Sequence, residues 1–245
     1  MKKIYIAILT LALTACAELT TIMESYPVNL PLTEAEVANG LKEALRVGTD
    51  SASAHLGALD GYYGDELVKI VLPEEADIIV DNISRIPGGD KLVEDVVVRI
   101  NRAAEDAAKE AGPVFWGAVQ KMTIADAFNI LNGNNDAATQ YLRKSTYDEL
   151  FKLYNPKIQN SLDKEIVAGV STNESWESLT GKWNGIANST IGKFAGLEGV
   201  NTDLDHYLTE KALDGLFIKI AQEEQNIRQD PMARVNDILE RVFGS

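Results

Sequence analysis

The chain of 245 residues carries 23 lysines and arginines against 37 aspartates and glutamates, a formal charge of −14, with two histidines and one cysteine. So acidic a surface repels phosphate backbones, which excludes nucleic acid as an expected partner, and a lone cysteine allows no disulfide within the chain. The length permits one large or two small helical domains with a sizeable core.

Lys2 and Lys3 precede the apolar run Ile4 to Leu13, which has the form of a bacterial signal peptide and is too short to anchor the chain across a bilayer. Leu13-Thr14-Ala15-Cys16 ends that run and resembles the lipobox of bacterial lipoproteins. The resemblance implies removal of residues 1–15, lipidation of Cys16, and membrane contact through acyl chains alone in the cell envelope, with the outer membrane as the expected site. The other reading is a plain secretory signal with an incidental cysteine. Residues 16–32, with Pro27 and Pro31 and no clean period, are expected to be a tether.

From residue 33 onward the pattern is helical. Thr33 and Glu36 have capping-box spacing, and Val37, Leu41, Ala44, Leu45, Gly48, Ala52 and Leu56 repeat at three and four residues up to Gly57. The run Asp60-Gly61-Tyr62-Tyr63-Gly64-Asp65 is turn-rich. Val68, Ile70 and Leu72 then alternate with Lys69 and Val71, which predicts a short extended segment near residues 67–72. Pro73 opens a helix carrying Ile78, Ile79 and Ile83 as far as Pro87-Gly88-Gly89. Asp90 caps a longer one, which holds its period from Val93 to Ala111 and is expected to stop or bend at Gly112-Pro113.

Thr123 and Asp126 cap a short helix closed by Gly133, and Asp136 starts another through Leu142, Leu150 and Phe151 to Asn155-Pro156. A further helix carries Ile158, Leu162, Ile166 and Val167. Trp176, Leu179, Trp183 and Ile186 keep helical spacing before a weakly patterned loop reaching Gly199. The stretch Thr202 to Arg228 is the predicted core helix. Leu213, Leu216, Phe217, Ile220 and Ile227 make one face and Leu204, Tyr207, Leu208 and Ile218 the other, so it is apolar nearly all round. Thr202 is placed to cap it, and Asp230-Pro231 opens a last helix ending near Phe243. The fold class that follows is all-α, a single multi-helix domain over residues 33–245 around that buried helix.

Gly40-Leu41-Lys42-Glu43-Ala44-Leu45 with Gly48-Thr49, Val68-Lys69-Ile70-Val71-Leu72-Pro73, Asp136 to Leu142, and Thr209 to Phe217 with Asp230-Pro231 resemble, in that order, the bacterial family catalogued as domain of unknown function 4197. Val235-Asn236 stands where that family's pattern has paired threonines. The resemblance spans nearly the whole chain after the signal. It implies a helical envelope protein with no assigned activity, so no catalytic residue carries over.

The residues themselves offer little enzyme chemistry. His55 and His206 stand on different predicted helices, and there is no nucleophile elbow, zinc-protease helix or phosphate loop. Acidic pairs such as Glu223-Glu224 and Asp203 with Asp205 suit acid–base work or a cation, and equally a solvated face. No cofactor and no metal are expected. Lys211 and Asp214, three apart on a helix read as buried, are expected to pair with each other or with Arg99 or Arg102, or else to line a pocket. Asp60, Tyr62, Tyr63 and Asp65 form the candidate partner-binding loop, since adjacent tyrosines between glycines cannot both enter one core. The reading is a binding or structural module; the alternative is a carboxylate-based hydrolase with an interhelical cleft.

Overall fold

The computed structural model describes residues 32–77, 89–167, 170–196, 199, 203–230, 232 and 241–242. Its main elements are α1 (Glu34–Gly57), α2 (Gly89–Ala108), α3 (Ala111–Lys121), α4 (Ile124–Leu131), α5 (Ala137–Leu162), α6 (Thr172–Ala187), α7 (Thr190–Phe194) and α8 (Leu204–Gln229). A two-stranded antiparallel hairpin, β1 (Glu165–Val167) with β2 (Val170–Ser171), joins α5 to α6. The class is all-α, and the residues from Glu34 onward form one unit. The signal run, Cys16 and nearly all of the tether lie outside the described residues.

α8 is the centre of the packing. Leu208, Leu213 and Leu216 are wholly enclosed, and Phe217 meets Phe115 of α3 edge-on at 6.0 Å between ring centroids. α5 and α1 lie against α8, while α2 packs on α5. Burying that much aliphatic and aromatic surface in one cluster supplies the main drive for folding. The cap is Asp203, whose carboxylate accepts from His206 N at 3.1 Å; Thr202 lies outside the described residues.

Two details of α8 differ from the sequence reading. Leu204 and Leu208 are buried as expected, but Tyr207 is half-buried and Ile218 is exposed. Tyr207, Lys211, Asp214 and Ile218 recur at four, three and four residues and so form a single outer stripe. The helix is therefore buried on much of its circumference, open along this stripe and, at its first turns, also at His206 and Glu210.

α5 runs through Pro156 without a break. The ring is on the exposed side, so the carbonyl of the exposed Lys152, which loses its donor, can turn to water. Tyr154, Ile158 and Leu162 are buried on the inner side and hold the helix on the core across the proline. Ile166 and Val167, expected at the end of a helix, belong instead to β1.

Gly112-Pro113 does not end a helix either. α2 stops at Ala108 and the proline sits in the first turn of α3, where its missing N–H costs nothing. α3 itself was not legible, although Phe115 and Val119 are fully buried. Thr123 and Asp126 do form the expected capping box of α4. After Pro73 the described residues contain one 3-10 turn, Glu74–Ala76. The expected helix with Ile78, Ile79 and Ile83, and most of the last helix, lie outside the described residues. No helix among the described residues is long and apolar enough to cross a membrane.

Candidate functional site

The chain leaves α1 through a turn that needs special backbone. Asp60 adopts φ 65°, and a Cβ on Gly61 would lie 2.4 Å from the carbonyl oxygen of His55, so only glycine fits there. This turn drives Tyr62 inward. Its ring is completely buried and its hydroxyl donates to the carbonyl of Ala212 on α8 at 2.8 Å. Tyr62 is therefore part of the core, which corrects its assignment to a partner-binding surface; burial also pushes its phenol well above the ordinary range. Tyr63 is half-buried, its hydroxyl donates to Glu94, and Lys69 Nζ stands 4.3 Å over its ring.

A buried carboxylate holds this loop. The backbone N–H groups of Tyr62 and Tyr63 both donate to Glu105 Oε1 at 3.3 Å, while Arg102 donates to Glu105 Oε2 and to Asp60 Oδ1 at 2.6 Å each. Glu105 is almost fully enclosed, and a charge so placed is tolerable because it is paired and hydrogen-bonded on both oxygens. Asp65 is fixed from the other side by Lys219 of α8 at 2.5 Å, and that contact holds its carboxyl below the usual range. Asp60 and Asp65 thus secure the loop to α2 and α8.

The N–H groups of Val68 and Lys69 donate to Asp65 O at 3.0 and 2.8 Å, which closes a turn over residues 66–68; beyond it the buried Ile70 lies between the half-buried Lys69 and the exposed Val71, as in an extended chain. The buried Asn101 of α2 stands in for a neighbouring strand. Its Oδ1 accepts from Ile70 N at 2.9 Å, and its Nδ2 donates to Ile70 O and to Val97 O at 2.8 Å each. In an extended chain the N–H and C=O of one residue point the same way and those of its neighbours the opposite way. With Ile70 turned to α2, the carbonyl of Lys69 and the N–H and carbonyl of Val71 face away from it, and they make no hydrogen bond among the described residues.

That outer edge forms one wall of a groove of about 340 Å³. The other wall is the outer stripe of α8, with Tyr207, Lys211, Asp214 and Ile218. Gly215 makes the approach possible, because a Cβ there would sit 3.0 Å from the Tyr62 ring and 3.1 Å from Val68 Cβ. Leu67 and Val71 are 57% and 54% exposed and Ile218 is 37% exposed. Lys211 and Asp214 are not buried and do not pair with each other. Asp214 takes Arg143 of α5, neither Arg99 nor Arg102, and Lys211 lies over the Tyr207 ring at 5.4 Å. Among the described residues neither Lys69 nor Lys211 has a carboxylate within ion-pair distance.

Other candidate groups have structural employment. Glu224, expected as half of a surface acid pair, is buried; it accepts from Ala138 N, Thr139 N and Thr139 Oγ1 at 2.8–3.0 Å and from Arg228. It therefore caps α5 in place of Asp136, whose side chain makes no cap bond. Asp205 accepts from Asn155 at 3.2 Å; burial raises its carboxyl, while its hydrogen bond with Asp203 lowers that of Asp203. His55 lies 4.0 Å from Asp65 and His206 meets Phe151 at a tilt, 4.8 Å between ring centroids, so the two imidazoles serve different surfaces. A second, larger cleft of about 660 Å³ runs between α1 and α3 with Trp116 at its rim, but its cations Arg46 and Lys109 are already paired with Glu43, Asp50 and Asp106. Among the described residues no group of three or more histidines, cysteines or acids is placed to hold a metal.

The residues that build the site, Asn101 and Glu105 above all, escape a periodicity reading because they are polar. The signal was their position, interrupting the apolar stripe of Val97, Ile100, Ala104 and Ala108 on α2. Glu224 likewise falls between Ile220 and Ile227 on the apolar face of α8. The family model described as Protein of unknown function (DUF4197) matches residues 31–244, and the chain belongs to that family. No curated protein and no solved structure matches the chain.

Proposed function

We propose that this member of the family is a lipid-anchored protein of the bacterial cell envelope, in the outer membrane, that acts as a binding module holding a partner in the groove between residues 67–71 and α8. The anchor reading is supported by Lys2 and Lys3, the apolar run behind them and Cys16 at its end. The observation that carries the binding role is the backbone edge at Lys69 and Val71. It is held in place from behind by Asn101, its outward hydrogen-bonding groups are unused among the described residues, and exposed Leu67, Val71 and Ile218 stand beside it. An exposed apolar rim around rigid, unsatisfied backbone is a surface built for contact.

The anchor is tested by metabolic labelling with a fatty acid. The wild type incorporates label and Cys16→Ser does not; equal labelling of both removes the lipid anchor from the account. For the binding role, a photo-reactive amino acid is placed at Val71 or, as the comparison, at Trp116 in the other cleft. A discrete adduct formed in the native envelope from position 71 and lost with Ile218→Asp is the expected result. An adduct from position 116 alone moves the binding site to the cleft between α1 and α3.

A further inference from the structure

We infer that the partner enters this groove as an extended segment carrying carboxylates, adding a strand to the Lys69–Val71 edge; this rests on the groove being the binding site. The backbone makes the first argument. One outward carbonyl at Lys69 and the outward N–H and carbonyl of Val71 repeat the donor and acceptor order that a strand offers its neighbour, and Asn101 already satisfies the opposite side in the same fashion. A small ligand would leave part of this row unpaired. A strand lying about 4.8 Å away satisfies all three groups with about three of its own residues.

The side chains make the second argument. In a strand, alternate residues point to the two faces, so one set of the incoming side chains lies beside Lys69 and Val71, which share a face, while the other set reaches the α8 wall with Lys211 and Ile218. Lys69 on one wall and Lys211 on the other are ammonium groups held over aromatic rings, without a carboxylate partner among the described residues, in a chain whose acids outnumber its bases by 14. Two such cations on both sides of one groove complement carboxylates on the incoming segment. The repulsion from the remaining acids falls off over about 8 Å at physiological ionic strength, whereas contact pairs inside the groove survive it. Cationic peptides lack that complement, and nucleic acid meets the same overall repulsion without a backbone that pairs with the edge.

The test uses the full-length chain in detergent with three seven-residue probes. The first alternates valine and aspartate, the second alternates valine and lysine, and the third is the acidic probe N-methylated at every second residue so that one edge cannot donate. Binding is read by fluorescence anisotropy and by the exchange rate of the Val71 amide. The acidic probe binds and slows exchange at Val71, the lysine probe binds at least about tenfold more weakly, and the N-methylated probe does neither. Lys69→Glu combined with Lys211→Glu reverses the preference between the acidic and lysine probes, and an unchanged melting temperature shows that this variant is folded.

Equal binding of the N-methylated probe overturns strand addition, and equal binding of the lysine probe overturns the acidic partner. If no acidic probe binds up to millimolar concentration while position 71 still crosslinks in the envelope, the strand inference fails and the groove stands. Loss of that crosslink as well removes both.

Discussion

Replacing Asn101 with leucine tests whether the edge at residues 69–71 is held from behind as the geometry implies. The two side chains share branching and heavy-atom count, and the bulkier leucine adds some overpacking at this fully buried site, but the main loss is that the Ile70 N–H and C=O lose their partners in a place where Ile70 is 1% exposed. Each orphaned buried group costs about 1–3 kcal/mol, giving a loss of about 2–6 kcal/mol, a large share of the roughly 5–15 kcal/mol that stabilises a domain. With a urea slope of about 2 kcal/mol/M, the midpoint of unfolding falls by about 1–3 M. Asn101→Asp separates the parts, since it keeps an acceptor for Ile70 N while both donors disappear and a charge is buried. Hydrogen exchange gives the local reading: the Ile70 amide loses protection before the amides of α3 do. A midpoint within about 0.2 M of the wild type, with Ile70 still protected, would refute the clamp and with it the rigid edge.

Four further outcomes follow from the packing and the charges. Leu216→Asp places a carboxylate at the fully enclosed centre of α8 and costs several kcal/mol, so the cooperative thermal transition is lost; an unchanged melting temperature contradicts the placement of the core helix. Glu224→Ala strips the acceptor from Ala138 N and Thr139 N and breaks the buried pair with Arg228, lowering stability by about 3–5 kcal/mol in urea melts. The raised carboxyl of Asp205 favours the folded state below the unfolded value near pH 4, and that contribution is lost as pH rises through its folded value. Asp205→Asn therefore raises the melting temperature at pH 7 and does less at pH 4. The depressed carboxyl of Asp65 has the opposite sign: its stabilisation is present above about pH 4 and is lost as pH falls through its folded value, so Asp65→Asn weakens the protein at pH 7 and has little effect in acid.

How far the sequence could be read depends on whether a feature is local. The capping box of Thr123 and Asp126 lies within four residues and was legible, as was the burial of Leu213, Leu216 and Ile220 on a continuous apolar face. Period two marked the burial of Val68 and Ile70, although the chain is still in a turn at Leu67 and Val68 and only straightens after it. What escaped depends on partners far along the chain: Asn101 serves Ile70 across 31 positions and Glu224 serves Thr139 across 85. Lys211 and Asp214 were misplaced because a helix with apolar residues on most sides gives no local sign of which stripe stays open. Tyr62 and Tyr63 show the same limit, since sequence indicates that two adjacent rings must diverge and only the turn at Asp60 and Gly61 decides which goes inward. Pro156 was read as an end because local geometry disfavours it, whereas burial of Tyr154 and Ile158 carries α5 across it.

The claim that this chain is a binding module working through the edge at residues 69–71 is tested most directly by amide hydrogen exchange of residues 67–72 in native envelope fragments and in the purified chain. Occupation of the edge predicts slower exchange at Val71 in the envelope than after purification, with no matching change in α3. Equal exchange at Val71 in both states contradicts the account.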